Sequence, residues 1–320
     1  MNPSMTDCPS YNAKPIRLMS SLAKTLEMDE SQLVQLANDA NGLYRVAREI
    51  RKPDGSLRRT YDALPRLKGV QRLIKSRILS RVSFPEYLTG CIKGRDYKVN
   101  AALHSGAKIV IAEDIGGFFP STSESRVFDV WRHFFGFGHE VARCLTKLTT
   151  LRNELPQGAS TSAHLANLVF WREEPQLRAR LDQNGIVYSR FVDDVAVSCQ
   201  SVIDPAQKTE VIALIYGMMI RHGYRPKRSK HELHTAGHRM TVTKLTVNSK
   251  PGLAREERSK IRAMVHELER LSASLEDPQS LQERLGTVAG KLALLGRFHP
   301  GKAQALKRRF VEVRRIIAAK

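Results

Sequence analysis

Two adjacent aspartates, Asp193 and Asp194, stand between two largely apolar segments rich in β-forming residues, 186–192 and 195–199. This pattern predicts a β-hairpin with both acids at its bend. Adjacent carboxylates repel each other, so they are a costly choice for a tight turn unless a cation lies between them, and Mg2+ is the natural candidate. An ordinary surface turn is the alternative, because aspartate is common in turns.

A third acid closes another apolar segment. The segment from Lys108 to Asp114 has the composition of a buried strand and ends in an acid, a position where functional sites collect. About eighty residues separate Asp114 from the pair at 193–194, and the three acids could converge on two divalent ions about 4 Å apart. Such a site catalyses nucleotidyl transfer, because one ion sharpens an attacking hydroxyl while the other holds a triphosphate and stabilises the leaving oxygen.

The net charge predicts a polyanionic partner. Of 320 residues, 52 are Lys or Arg and 32 are Asp or Glu, which gives a formal charge of +20. The stretches 45–81, 221–250 and 291–320 hold twelve basic residues against three acidic ones, eight against one and nine against one. Three separated stretches favour a groove with several basic walls that binds nucleic acid, and solvated helix faces are the alternative.

Other features bound the class of protein and its compartment. Hydrophobic residues make up 42% of the chain, enough for a folded core. The longest apolar run, 211–220, is too short to cross a bilayer, and the polar segment 1–10 is not a signal peptide, so we expect no membrane association. The four cysteines include no CxxC pair, which argues against a zinc site or disulfide framework and fits a reducing cytoplasm.

The elements that must position the three acids follow from periodicity and turn residues. Strands are expected on both sides of a Pro-Asp-Gly turn between 48 and 61, at 108–114 and at 240–248. Helices are expected near 18–36, 65–80, 121–134 (with a Ser121–Glu124 capping box), 141–150, 163–173 and 208–222, with three more after 254. The glycine-containing loop 155–162 can bring backbone amides close to a ligand.

Four motifs in a fixed order resemble those of reverse transcriptases. They are an aspartate that ends a strand (114), Phe-Phe-Pro-Ser (118–121), Leu-Pro-Gln-Gly (155–158) and Phe-Val-Asp-Asp (191–194). Within that family the chain looks most like the bacterial retron type, because 100–104 matches the NAxxH element and 242–247 resembles the VTG strand. The resemblance runs from about residue 18 to the C-terminus.

The resemblance implies an α+β fold, the right-hand polymerase fold with fingers, an antiparallel-sheet palm and an α-helical thumb. An N-terminal helical segment would span 1–45, and the fingers, with a retron-specific insertion, would span 46–107. The palm would span 108–252 with fingers helices interleaved at 121–155, and the thumb would span 253–320.

The resemblance also implies the catalytic residues. Asp114, Asp193 and Asp194 would hold two Mg2+ ions, which Mn2+ could replace. Lys230 aligns with a lysine that protonates the leaving pyrophosphate. The ring of Phe119 would exclude a 2′-hydroxyl and so select deoxynucleotides.

Further residues would bind the incoming nucleotide or the RNA. Arg59, with Arg58 or Lys52, would clamp the triphosphate through charge-assisted hydrogen bonds. The other nucleotide contacts would come from the backbone amides of Gly117 and Phe118, from Phe119, and from Gln157 and Gly158. The RNA contacts implied are Asn100, His104, Lys244, Lys307, Arg308, Arg309, Arg314 and Arg315.

Several positions depart from the family pattern without removing a metal ligand. Lys244 stands where the VTG strand has glycine, and we expect either a solvent-facing strand residue or a contact with the primer backbone. Gly116–Gly117, Ser160, Ala163 and Lys227 are the other departures. His231, His234 and His238 are expected to face solvent or RNA, because no cysteine or carboxylate cluster joins them.

By resemblance, the protein binds its own structured non-coding RNA and copies part of it from dNTPs into multicopy single-stranded DNA, priming from a ribose 2′-hydroxyl. Such enzymes work beside a toxin or effector protein in antiphage defence. We expect no RNase H domain after 254, where the sequence has a single aspartate, Asp277, and no second cluster of carboxylates, so a host RNase H would degrade the template. The alternatives are an RNA-directed RNA polymerase, which Phe119 disfavours, a non-catalytic RNA-binding scaffold, which the three acids disfavour, and a group II intron maturase remnant.

Overall fold

The computed structural model describes residues 7–52, 55–272 and 278–318, and it has the mixed α+β composition that the sequence predicts. Its strands are β1 (Ser10–Tyr11), β2 (Tyr44–Arg51), β3 (Leu57–Ala63), β4 (Val82–Ser83), β5 (Ile109–Gly116), β6 (Ile186–Phe191), β7 (Asp194–Cys199), β8 (Arg225–Pro226), β9 (Glu232–Thr235), β10 (Thr241–Val242) and β11 (Leu245–Thr246). Its α-helices are α1 (Met19–Thr25), α2 (Glu30–Asp39), α3 (Pro65–Arg77), α4 (Tyr97–Leu103), α5 (Phe118–Ser121), α6 (Glu124–Asp129), α7 (His139–Thr149), α8 (Ser162–Leu168), α9 (Glu174–Gln183), α10 (Pro205–Arg221), α11 (Arg255–Ser272), α12 (Pro278–Phe298) and α13 (Pro300–Ala318).

An antiparallel sheet of five strands forms the centre of the molecule, with β5 as its middle strand. One edge of β5 pairs with β7 from Ile109↔Cys199 to Asp114↔Asp194. Its other edge pairs with β9 over 109–112 and with β8 at 115–116. The predicted strand at 108–114 is confirmed, because its β-branched and apolar residues suit a strand that is covered on both faces.

The two faces of this sheet belong to different hydrophobic cores, because successive side chains of a strand point to opposite sides. Ile109 and Ile111 lie in a large core that includes α1–α3 and α6–α10. Val110 and Ala196 lie in a second core, shared with α4, the β10–β11 hairpin and α11–α13. The sheet is therefore held from both sides, and residues at its end have a fixed position.

β2 and β3 form a two-stranded ribbon outside this sheet. Seven of the eight residues of β2 are exposed, and apolar side chains such as Val46 and Ile50 face solvent. The pairing register shifts between Val46 and Arg48. The two predicted strands are confirmed, whereas the turn predicted between them includes Pro53 and Asp54, which lie outside the described residues.

The last three helices pack together, as the spacing of their apolar residues predicts. The buried side chains of α12 recur every three or four residues and are Leu281, Leu285, Val288, Leu292, Leu295 and Phe298. Phe298 lies 6.0 Å from the ring of Tyr97 in α4, which joins the bundle to the sheet side of the molecule. Across the described ranges, no helix is both long enough and apolar enough to cross a membrane.

Two predicted elements differ from the structure. The capping box predicted at Ser121 and Glu124 is wrong, because the short helix α5 ends at Ser121 and Ser123 precedes α6 as its N-terminal cap. Gly117 has a φ of +58°, which lets the chain enter α5 early. The single strand predicted at 240–248 is instead a tight hairpin of β10 and β11, which turns at Thr243 and Lys244, both with positive φ.

Candidate active site

The turn between β6 and β7 brings the three predicted acids together. Phe191 pairs with Asp194, so Val192 and Asp193 form a two-residue hairpin turn. The register of the sheet places Asp194 directly opposite Asp114 of β5. The Ile115 amide donates to the carbonyl of Asp193 at 3.0 Å, which ties the turn to the end of β5. All three carboxylates therefore lie at one end of the sheet.

The electrostatics of this end of the sheet show a surplus of negative charge. Burial, followed by repulsion from Asp114, raises the pKa of Asp193 above its usual range. Partial burial, with repulsion from Asp193 and Asp114, raises the pKa of Asp194 to about 6. A divalent cation would relieve both effects, because an opposite charge favours the ionised carboxylate.

The donor atoms fit Mg2+, a hard cation that prefers carboxylate oxygens. Asp114, however, is paired with the ammonium of Lys230. No group of three or more His, Cys, Asp or Glu side chains within 7–52, 55–272 and 278–318 is arranged to hold a metal ion. A cation at Asp114 would therefore compete with the ion pair to Lys230.

Lys230 lies on a short helical turn, Arg228–Lys230, that is fastened to β5. The Lys227 amide donates to the Asp114 carbonyl at 2.7 Å. Partial burial works against the charge of Lys230, but its bond with Asp114 raises the pKa of the ammonium overall. The lysine that the sequence predicts to protonate the leaving pyrophosphate therefore lies beside the acids.

His231 is exposed, as the sequence predicts, but its ring also has a buried partner. Its Nδ1 lies 2.6 Å from Oε1 of Glu113, a carboxylate that is 1% exposed. The hydroxyl of Tyr216 in α10 donates to the other oxygen of Glu113 at 2.9 Å. Glu113 precedes Asp114 on β5, so these two side chains leave opposite faces of the strand. The only sequence signal was that alternation, and it does not reveal a partner more than a hundred residues away.

The aromatic pair after β5 divides into a core residue and a site residue. Phe118 is 2% exposed and stacks against Phe170, with ring centroids 6.3 Å apart. Phe119 is half-buried and meets Phe118 edge to face. Gly117 takes a φ of +58° between these rings and the end of β5, a conformation that favours glycine. Of these two rings, Phe119 is therefore the one that remains accessible.

The Leu-Pro-Gln-Gly loop is attached to the ribbon strand β3. The amide of Tyr61 donates to the Gln157 carbonyl at 2.7 Å. Gly158 has a φ of +113°, and a Cβ at this position would lie 2.6 Å from the Tyr61 carbonyl oxygen. Only glycine fits such a close approach, so the motif residue has a structural reason of its own.

The ribbon places two neighbouring arginines on opposite faces. Arg58 donates through Nε to Oε1 of Gln157 at 3.2 Å, and its charge acts on Asp193. Arg59 points the other way and pairs with Glu49, at 2.6 Å. The triphosphate contact of Arg59 stays a prediction, and strand alternation places Arg58 on the face of the ribbon that meets Gln157. Lys52 lies at the end of the ribbon, next to the two residues outside the described ranges.

Asn100 and His104 cannot contact RNA through their side chains, because they are 1% and 0% exposed. Asn100 accepts from the Thr89 hydroxyl at 2.6 Å. The two ring nitrogens of His104 lie 2.8 Å from Ser198 Oγ on β7 and 2.7 Å from Ser189 Oγ on β6. The prediction of direct RNA contact is wrong here, and the NAxxH element instead fastens α4 to the back of the acidic hairpin.

The remaining predicted RNA contacts are exposed. Lys244 has a φ of +66°, which explains physically why a glycine suits this turn. The predicted contacts on α13 are all exposed, and they are Lys307, Arg308, Arg309, Arg314 and Arg315. Arg309 pairs with a residue of another helix, Glu269 of α11, with Nε and Oε1 2.7 Å apart, whereas Arg315 pairs only within α13, with Glu312 at 3.6 Å.

Comparison with known proteins agrees with this geometry. The profile of the reverse transcriptase (RNA-dependent DNA polymerase) family matches residues 50–267. The Retron Se72 reverse transcriptase of Salmonella heidelberg is 30% identical over 307 residues, which cover 95% of this chain and 80% of the relative. The Retron Ec48 and Ec86 reverse transcriptases of Escherichia coli are 28% and 27% identical and cover 95% and 78% of this chain, and 78% of each relative.

Among solved structures, telomerase from Candida albicans with a fragment of telomeric RNA aligns over 62% of this chain and 40% of that chain. Its TM-score is 0.38 and its identity is 10%, a likeness that adds nothing to the assignment.

The fold and the site thus define an RNA-directed DNA polymerase. The chain belongs to the reverse transcriptase family, and within it to the bacterial retron-type reverse transcriptases.

Proposed function

We propose that this reverse transcriptase performs nucleotidyl transfer with two Mg2+ ions held by Asp114, Asp193 and Asp194. The observation that carries the proposal is the register of β5 and β7, which sets Asp114 opposite Asp194 beside a turn that ends in Asp193. When bound, the ions would activate a primer hydroxyl and stabilise the leaving pyrophosphate.

The other side chains of the site would orient the nucleotide and supply a proton. Arg58, on the ribbon face that meets Gln157, would bind the triphosphate through charge-assisted hydrogen bonds. The backbone amides of Gly117 and Phe118 would also donate to the triphosphate. Lys230 would protonate the leaving pyrophosphate, since its ammonium already lies beside Asp114. The accessible ring of Phe119 would exclude a ribose 2′-hydroxyl.

The parts of the molecule would then divide as in a right hand. The ribbon and helices of 46–107 and 121–155 would be the fingers, the five-stranded sheet within 108–252 the palm, and α11–α13 the thumb. Exposed cations on α13 and Lys244 at the β10–β11 turn support an RNA-binding surface on the thumb side. The formal charge of +20 supports the same conclusion.

As a retron-type enzyme, the protein would bind a structured non-coding RNA in the cytoplasm and copy part of it into multicopy single-stranded DNA. A host RNase H would remove the template, and a toxin or effector protein would join the complex in antiphage defence. Membership of the retron type supports these steps.

Sequencing the nucleic acid that co-purifies with the protein tests this proposal. The wild type should yield one RNA joined to single-stranded DNA through a 2′-branch, and the Asp193→Asn variant should yield the RNA without the DNA. DNA that persists in the variant would refute the assigned catalytic residues. RNA without DNA in the wild type would favour the non-catalytic scaffold.

Primer extension on an RNA template tests the role of Phe119. The wild type should incorporate deoxynucleotides, and Phe119→Ala should incorporate ribonucleotides more readily while keeping its use of deoxynucleotides. Unchanged selectivity in Phe119→Ala would overturn the assignment of this ring as the excluding group.

A further inference from the structure

Behind the acidic turn lies a buried charged network that the proposed catalytic mechanism does not use. We infer that Arg190 is a positioning residue, which holds the strained turn at Val192 so that Asp193 and Asp194 face the substrate. The inference rests on the catalytic roles proposed above for these two acids. It goes beyond them because Arg190 is 0% exposed and is not among the residues proposed to bind nucleotide or metal.

Arg190 is wholly buried, and each end of its guanidinium has a partner. Its Nε and one terminal nitrogen bind the two oxygens of Glu174 in α9 at 2.6 and 2.8 Å. The same terminal nitrogen donates to the Asn167 carbonyl at 3.0 Å. The other terminal nitrogen donates to the Val192 carbonyl at 2.9 Å, two residues along the hairpin. The rigid planar fork of arginine makes such simultaneous contacts possible, whereas a lysine ammonium cannot reproduce them.

The contact with Val192 matters because this residue is in an unfavourable conformation. Val192 has a φ of +60°, and a β-branched residue rarely adopts positive φ. Such strain persists only where the surroundings determine the conformation. Val192 is also only 7% exposed, so its side chain cannot move into solvent to relieve the backbone strain.

A second contact closes the turn from the opposite side. A Cβ on Gly90 would lie 2.5 Å from the Val192 amide nitrogen and from its Cγ2, so only glycine permits the chain to pass here. The carbonyl of Gly90 accepts from Nδ2 of Asn167 at 2.8 Å, and the Arg190 amide donates to the Tyr87 carbonyl at 2.9 Å. The turn is therefore enclosed between the segment 87–90 and the guanidinium of Arg190.

The same guanidinium also lies against two aromatic rings, and one of them is in the pair that follows β5. Its carbon lies 5.3 Å from the ring centre of Phe170 and 6.0 Å from that of Phe118. Phe118 in turn meets Phe119 edge to face. One buried cation thus contacts both the turn that carries the acids and the support of the ring proposed to select deoxynucleotides.

A role in fold stability alone would produce a similar network, so the test must separate stability from positioning. The double variant Arg190→Met/Glu174→Met replaces both charges with apolar chains of similar length and leaves no charge buried without a partner, so we expect the fold to be retained. Arg190→Lys keeps a cation beside Glu174 but cannot also reach the Val192 carbonyl. Tyr188→Phe is the matched control, because it removes a 2.7 Å bond to Glu174 and leaves the bond to Val192 intact.

We expect the double variant to melt close to the wild-type temperature while its kcat in primer extension on poly(rA)/oligo(dT) falls about 100-fold, because misplacement of reacting groups by about 1 Å has that effect. Its KM for dTTP should stay within about threefold, since Arg58 and Gln157 are untouched. Arg190→Lys should show the same split between kcat and KM. Tyr188→Phe should lower the melting temperature and keep kcat.

Adding Val192→Gly supplies a readout that stability does not affect. Glycine adopts positive φ freely, so in the Arg190→Lys or double-variant background it should restore kcat about tenfold. In the wild type the same change should bring no gain. The inference is overturned if the double variant keeps both the wild-type melting temperature and the wild-type kcat, or if Val192→Gly restores nothing in either background. Should the double variant not fold, Arg190→Lys with and without Val192→Gly decides. Asp193→Asn is assayed in parallel. If this variant keeps the wild-type kcat, the proposed catalytic roles are wrong, and that outcome is distinct from the results at Arg190.

Discussion

The acidic hairpin β6–β7 and the ribbon β2–β3 are both pairs of antiparallel strands that carry charged residues, yet their surroundings are opposite. Five of six residues of β7 are buried, whereas seven of eight in β2 are exposed. The hairpin is covered by two hydrophobic cores and by buried polar contacts from Arg190 and His104. The ribbon has a register shift and ends beside residues 53–54.

This difference matches two kinds of chemical work. Carboxylates that hold metal ions at a fixed separation need a rigid frame, since small displacements lower the rate steeply. Cations that close over a substrate need an element that opens at low cost, and elements with few buried contacts have low local stability. The hairpin should therefore govern kcat, and the ribbon should govern the KM for nucleotide.

The largest expected effect is at the hairpin. Asp193→Asn should lower kcat by about 1,000-fold or more, because several kcal/mol of transition-state charge stabilisation are lost. Steady-state primer extension measures this loss. Asp182→Asn on the exposed surface of α9 is the matched control and should behave as wild type. Equal activity of the two variants would remove the basis for the comparison.

The second effect concerns the support behind the hairpin. Burial lowers the pKa of His104 to about 4, below the value of about 6.5 in an unfolded chain. Between pH 6.5 and 4, His104 of the unfolded chain therefore binds a proton, whereas His104 of the folded protein stays neutral. The stability contribution of His104 is complete above pH 6.5 and falls by about 3 kcal/mol as the pH drops to 4.

Urea unfolding at pH 7 and pH 4.5 measures this change, with His104→Gln for comparison. The variant should lose less stability between the two pH values than the wild type does. His164 acts in the same direction, because burial also lowers its pKa to about 4. Burial also lowers the pKa of His222 and His299, so the variant should remove only part of the acid sensitivity due to histidines. An identical loss in both proteins would show that His104 is not enclosed behind the hairpin.

The third effect tests the ribbon through two neighbouring residues. Arg58→Ala should raise the KM for dNTP about tenfold and leave kcat nearly constant, because one charge-assisted contact to the triphosphate is lost. Arg59→Ala should change the KM by less than about threefold, since it removes only an exposed pair with Glu49. A larger effect at Arg59 would mean that the ribbon turns over when it closes on a nucleotide.

Local chemistry explains which features the sequence predicts. The strand ending in Asp114 and the hairpin at Asp193 follow from apolar runs and turn residues, which act over a few positions. The choice between Arg58 and Arg59 depends on which face of β3 meets Gln157, about a hundred residues away, and that contact has no local signal in the sequence. For polar residues within the core, such as His104, the hydrogen-bond partners lie on strands distant in sequence. The sequence of the NAxxH element therefore predicts an RNA contact where the structure has a buried polar contact.

The smallest effect concerns the last helix and distinguishes its faces. The buried residues Leu306 and Val313 define the inner side of α13, and at 100° per residue Arg308 and Arg315 point directly away from it. Arg309 points sideways, toward Glu269 of α11, and its charge is already compensated.

If exposed cations bind RNA phosphates, Arg308→Gln/Arg315→Gln should reduce the slope of log K against log salt by about 2, close to one for each phosphate contact. Arg309→Gln should change that slope much less, although it removes a charge from the same helix. Filter binding of the co-purified RNA from 50 to 300 mM salt, a range over which screening of exposed charges increases, measures both slopes. Equal slopes in all three proteins would mean that RNA is bound elsewhere, by the ribbon or by 221–250. A large change from Arg309→Gln alone would mean that RNA displaces Glu269, so the helix would have to open from α11 on binding.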